Sequence, residues 1–137
     1  MKVQKIVLHH SLTKDSKTVS WAAIRRYHVQ TLGWSAIGYH YGIELVGFDY
    51  EILVGRLMNQ VGAHCIGLNR ESLGICFIGN FDTEDPEESM LIVGRGLVKS
   101  LLEVFNLGIE DIVGHNQYSN KTCPGKMFSM DVFRESL

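Results

Sequence analysis

The sequence predicts an α/β fold, a single domain over residues 1–137 with a central mixed sheet of about five strands flanked by about three helices. Three observations carry this prediction. Val3, Ile6, Val7 and Leu8 form an almost continuous apolar run, as expected of a strand buried on both faces. From Ile37 the apolar period becomes two, that of a strand with distinct faces. Between residues 85 and 105 apolar residues recur every three or four positions, the spacing of a helix face.

Composition bounds what such a domain can be. A chain of 137 residues, 45% hydrophobic and 20% charged, is long enough to bury a real core and has the balance of an ordinary globular protein. The net charge of −2, with neither sign in blocks, advertises no nucleic-acid or anionic-membrane surface. No apolar stretch reaches the length of a membrane span. The run around Val7 is too short for a signal peptide core, so the expected location on synthesis is the cytoplasm. Cys65, Cys76 and Cys123 make no disulfide framework, and an odd count suits a reducing compartment with one thiol free for other work.

The first strand, residues 3–10, ends in His9-His10-Ser11. Alternation along a strand lets only one of the two histidines face a given site, and periodicity does not choose between them. Residues 14–18 read as polar loop. Ser20 can cap a helix through Trp21, Ile24, Tyr27, His28 and Thr31, stopped by Gly33; its spacing makes His28 a packing residue. The strand from Ile37 puts Tyr39, Tyr41 and Ile43 on one face and His40, Gly42 and Glu44 on the other. A turn at residues 46–49 leads to a second strand, residues 50–54.

Residues 61–72 form a loop of small residues carrying His64, Asn69 and Ser72, next to a buried strand at 73–81, where Cys76 acts as a small hydrophobe. Asp85-Pro86 supplies a cap and a first-turn proline for the longest helix. Its core face is Met90, Val93, Leu97, Leu101 and Val104; Gly94 and Gly96 each cost about 1 kcal/mol relative to alanine. Asn106-Leu107-Gly108 ends it. A short strand at 111–113 delivers His115, and a last helix, 129–135, buries Met130 and Phe133. His9 and His115 thus lie just past strand ends, where α/β sheets bind ligands.

His115 and Cys123 stand eight residues apart in a segment rich in Asn, Ser, Pro and Gly, which can fold back and aim both at one place. Borderline-soft zinc accepts imidazole nitrogen and thiolate sulfur, and a catalytic zinc needs three protein ligands. The third must come from elsewhere in the chain; the alternative is a surface loop with an unrelated His and Cys. Cys65, beside His64, is a rival thiol, discounted because adjacent residues rarely coordinate one ion comfortably.

These segments together resemble the zinc-dependent N-acetylmuramoyl-L-alanine amidase family, which includes the small phage lysozymes of the T7 type and the peptidoglycan recognition proteins. The resemblance runs through Val7-Leu8-His9-His10-Ser11, Gly33-Trp34-Ser35-Ala36-Ile37-Gly38-Tyr39-His40, Gly62-Ala63-His64, Asn69-Arg70-Glu71-Ser72-Leu73-Gly74-Ile75-Cys76 and the stretch from His115 to Pro124. It implies one catalytic zinc held by His9, His115 and Cys123, with Tyr39 and Lys121 as catalytic residues. It puts His64, Asn69 and Ser72, as substrate-binding residues, in the segment that lines or supports the substrate groove.

The implied activity is hydrolysis of the amide between N-acetylmuramic acid and L-alanine in peptidoglycan, by a monomeric phage, prophage or bacterial enzyme reaching the wall after release or export. Peptidoglycan or muropeptide is the expected partner. The family also contains binding modules that lack the cysteine ligand, cytosolic recycling amidases with an aspartate in its place, and T7-type lysozymes that inhibit a phage RNA polymerase; Cys123 favours the lytic hydrolase. Two departures mark this chain. Residues 42–51 replace the family's compact Asp-Gly hairpin, and the region between Ser11 and Trp21 lacks the cysteine pair of animal recognition proteins.

Overall fold

A computed structural model describes residues 1–12 and 20–137; the predicted polar loop at 14–18 lies outside the described residues. Five strands form one mixed sheet: β1 (Lys5–His10), β2 (Tyr41–Val46), β3 (Asp49–Val54), β4 (Ser72–Phe77) and β5 (Ile112–Gly114). They are ordered β3-β2-β4-β1-β5. β1 runs parallel to β4 and β5, β2 runs parallel to β4, and β3 is antiparallel to β2. Three α-helices complete the single domain: α1 (Trp21–Arg26), α2 (Glu88–Phe105) and α3 (Met130–Glu135).

Side-chain alternation divides the protein into layers. Ile6 and Leu8 of β1 and Leu73, Ile75 and Phe77 of β4 face a core closed by Met90, Val98 and Leu101 of α2 and Phe133 of α3. Val7 points the other way, packing with Cys65, Leu68 and Val113. On that same face Cys76 lies under Trp21 of α1, as the small hydrophobe expected. The central strands β1 and β4 are therefore covered on both sides, and edge strand β3 is largely exposed.

Several elements differ from the prediction for identifiable reasons. Ser20 does cap α1, its Oγ accepting from Ala23 N at 3.3 Å. The helix then widens into a π turn over Tyr27–Thr31, closed by Leu32 N donating to Tyr27 O at 3.0 Å. β2 begins at Tyr41 rather than Ile37, and the chain bends at His40 just before it. α2 begins at Glu88: Glu87 is the extended N-cap, with no side-chain cap bond. A short 3-10 turn, Ile109–Asp111, precedes β5, which ends at Gly114.

The buried stripe of α2 is also rotated. Met90 and Leu101 are buried as expected, but Val104 is 66% exposed, and Gly94, Val98 and Leu102 complete the inner face. The pivot is Gly94, where a Cβ would come within 2.6 Å of the Phe77 ring. Its missing side chain lets α2 lie against the sheet there. Gly96 has open space instead. In α3, Ser129 caps through Val132 N at 3.2 Å, and Phe133 is buried while Met130 is only partly so. Among the described residues no helix is long and apolar enough to cross a membrane.

Candidate metal and catalytic centre

The sheet register decides which histidine faces which way. His9 shares the Val7 face of β1, pairing with Cys76 across the ladder. His10 belongs to the opposite face, where its Nδ1 accepts from Phe81 N at 3.1 Å. Leu8 pairs with Gly114 in the parallel β1–β5 ladder, so the residues that follow them, His9 in β1 and His115 just past the end of β5, emerge side by side. Their ring centroids are 4.6 Å apart.

Cys123 arrives from the loop after β5. Asn116 N donates to Cys123 O at 2.6 Å, folding the loop back on itself, and the Cys123–Pro124 peptide is cis. Asp82 holds the far side, accepting from Thr122 Oγ1 at 2.7 Å and Lys126 N at 2.9 Å. The thiol ends 3.6 Å from His9 Nδ1 and accepts from His10 N at 3.3 Å. One ligand atom from each of His9, His115 and Cys123 lies within 4.8 Å of the other two.

This trio fits a zinc ion on chemical grounds. Burial first, then the neighbouring histidines, pushes His9 well below its ordinary pKa; burial and then the Lys121 charge lower His115. Both rings are neutral donors near pH 7. Burial raises the Cys123 thiol to about 12, against the opposing effects of His10 N–H and Lys121, so ionising it calls for a cation at the site. Two imidazoles and one thiolate match zinc's preferences and leave a fourth position.

The trio lies at the floor of a groove made of two adjacent cavities of about 560 and 450 Å³, both walled by His28, Tyr39, His64, His115 and Lys121. The Tyr39 ring is 5.1 Å from that of His9. Burial, and secondarily the thiols of Cys76 and Cys123, raises its hydroxyl well above the ordinary phenol value. Lys121 is exposed at the rim.

The three expected groove residues separate. His64 and Asn69 line the second cavity. Asn69 Oδ1 accepts from the backbone N–H of His64 and Cys65, at 2.8 and 2.9 Å. Ser72 lines neither cavity: it is completely buried and donates to Leu68 O at 2.7 Å, because β4 begins there beneath the loop. Helical spacing predicts His28 only as a packing residue. Its Nδ1 does accept from Gly38 N at 3.0 Å, yet it also walls both cavities, as helical spacing gave no means of foreseeing. Asp82 carries no sequence signal either, since its partners lie about 40 residues away in a loop whose path no local pattern encodes.

The sequence model of the N-acetylmuramoyl-L-alanine amidase family matches residues 1–126. The chain belongs to this family. Among solved structures, the N-acetylmuramoyl-L-alanine amidase LysC from Clostridium intestinale is 29% identical and superposes with a TM-score of 0.87, over 98% of this chain and 85% of that one. The complex of peptidoglycan recognition proteins LCa and LCx bound to tracheal cytotoxin gives 0.80 at 27% identity, over 96% of this chain and 81% of the other. Peptidoglycan-recognition protein SC2 of Drosophila melanogaster is 32% identical over 125 residues. That match takes in 87% of this amidase-family chain and 66% of the relative's length.

Proposed function

We propose that this chain is a zinc-dependent hydrolase that cleaves the amide joining the lactyl group of N-acetylmuramic acid to L-alanine in peptidoglycan, acting in lysis for a phage, prophage or bacterium. The observation that carries this is the convergence of His9, His115 and Cys123 within 4.8 Å on the floor of a groove also lined by Tyr39 and Lys121.

His9, His115 and Cys123 would hold the zinc. Bound there, the ion supplies a Lewis acid and lowers the pKa of water from 15.7 toward about 7. The remaining work falls to the chain. The groove orients the scissile amide over its floor. Tyr39 keeps its phenolic proton at neutral pH, because burial raises the hydroxyl, and so can position the attacking water by a hydrogen bond or relay the water's proton onward. Lys121 brings positive charge to the carbonyl oxygen as it becomes anionic. Water adds to the carbonyl carbon, the C–N bond breaks, and the alanine amine leaves with a proton.

A second reading, capture of muropeptide without cleavage, is favoured by the recognition proteins among the relatives, one of whose complexes holds tracheal cytotoxin. Digestion of purified sacculi by the zinc-loaded protein separates the two. New L-alanine amino termini, absent with Cys123→Ser and with chelator, support the hydrolase. Retention of sacculi or tracheal cytotoxin with no new termini overturns it in favour of recognition.

A further inference from the structure

We propose that His64 and Ser72 are positioning residues whose hydrogen-bond chain fixes His9 in the tautomer that presents Nδ1 to the metal. This rests on the metal centre proposed above and adds a role for two residues that do not touch the ion.

The chain can be followed proton by proton. The Ser72 hydroxyl has one proton, and it is committed to Leu68 O at 2.7 Å. Towards its other neighbour, His64 Nε2 at 3.5 Å, Ser72 can therefore only accept. That puts the His64 proton on Nε2 and leaves Nδ1 as an acceptor. The group facing His64 Nδ1, at 3.0 Å, is His9 Nε2, which must donate. A neutral His9 with its proton on Nε2 has its lone pair on Nδ1, the atom 3.6 Å from Cys123 Sγ.

The surroundings keep His64 from turning. A Cβ on Gly74 would stand 2.5 Å from His64 Cγ, and one on Gly62 would stand 2.5 Å from its Cδ2; the ring is wedged between two stretches of bare backbone. Asn69 clamps the His64 backbone through the N–H groups of residues 64 and 65. The relay starts at a peptide carbonyl and contains no carboxylate. A metal-bound imidazole is ordinarily oriented by a carboxylate, a carbonyl or water; a neutral imidazole in that place orients His9 without adding negative charge beside the ion.

Two measurements on the full chain test this. Long-range nitrogen–proton NMR of the metal-free protein should find the His9 proton on Nε2. Zinc affinity, from competition with a chromophoric chelator, should fall about 10- to 100-fold in His64→Leu, the range for lost outer partners of a metal ligand. His64→Asn, whose amide oxygen can stand near the Nδ1 position, should restore most of it. Should His64→Leu fail to fold, Ser72→Ala decides: it frees the His64 tautomer, and His9 should then show a mixture. A His9 proton on Nδ1 in the wild type, or undiminished zinc affinity in folded His64→Leu, overturns this role while leaving the metal centre standing. Absence of zinc binding by the wild type overturns the metal centre, and this role with it.

Discussion

Asp82 and Thr122 are joined by a 2.7 Å hydrogen bond that ties the turn after β4 to the loop carrying Cys123. The same carboxylate takes Lys126 N at 2.9 Å, so it grips the loop on both sides of the thiol. The Thr122 hydroxyl, followed by the Lys126 N–H, holds Asp82 below its ordinary pKa. The grip is therefore complete above the ordinary carboxylate range and is released as pH falls through the depressed value. Asp82→Ala should speed amide exchange at Lys126 and weaken zinc binding, with the sheet amides unchanged. Exchange at Lys126 equal to wild type would show that the loop holds itself.

Gly94 and Gly96 make a paired test of packing against propensity. Alanine at 94 would press within 2.6 Å of Phe77, a ring that cannot retreat because Phe128 and Phe133 pack on it at 5.2 and 6.1 Å. Overpacking of about 1–3 kcal/mol should outweigh the gain of about 1 kcal/mol in helix propensity. At the exposed Gly96 nothing lies within 4 Å, so Gly96→Ala should stabilise by about 0.5–1 kcal/mol. Urea denaturation should move the two midpoints in opposite directions.

The part of the site readable in the sequence was its chemistry, and the part hidden was its geometry. The His9-His10 pair is visible, but alternation alone names no face; the Leu8–Gly114 pairing in a parallel ladder is what sets His9 beside His115. The contact between His9 and His64 spans 55 residues and exists only because β1 and β4 are neighbours. Strand and helix identities followed from periodicity. The inner stripe of α2 did not, since its pivot, Gly94, has no side chain for a hydrophobic pattern to register.

Acid should destabilise the metal-free protein through its buried histidines. Burial, and next the His40 ring, lowers His64 to about 3 from 6.5, and burial also lowers His40. Below 6.5 the unfolded chain takes up protons that the folded chain refuses, so stability falls as pH falls, by about 1.4 kcal/mol per pH unit for each such group. For His64 this window extends down to about 3. Urea titrations in chelator at pH 7, 6 and 5 should show a progressive loss; a flat profile would mean these rings accept protons in the folded state.

Lys121→Ala should separate catalysis from metal binding. Its charge lowers both His115 and Cys123, yet it is not one of the three clustered donors. Zinc should remain bound while kcat on muropeptide falls about 10²- to 10³-fold, the cost of losing one preorganised charge-stabilising group. A fall in zinc occupancy matching the fall in rate would make Lys121 a structural support instead.

Zinc binding should release one proton near pH 7.5, and Cys123 is its source. In the metal-free protein burial keeps this thiol protonated, with a pKa of about 12. His9 and His115 are already neutral there because burial lowers both, so neither has a proton to give. As a ligand Cys123 must be a thiolate. Apparent affinity should then rise about tenfold per pH unit between 7 and 8. Calorimetry in buffers of different ionisation enthalpy counts the proton directly. Cys123→Ser should bind more weakly and release none near neutrality if the hydroxyl stays protonated. Release beyond one proton would report the water that the bound ion acidifies, and none would show that the thiol is already ionised.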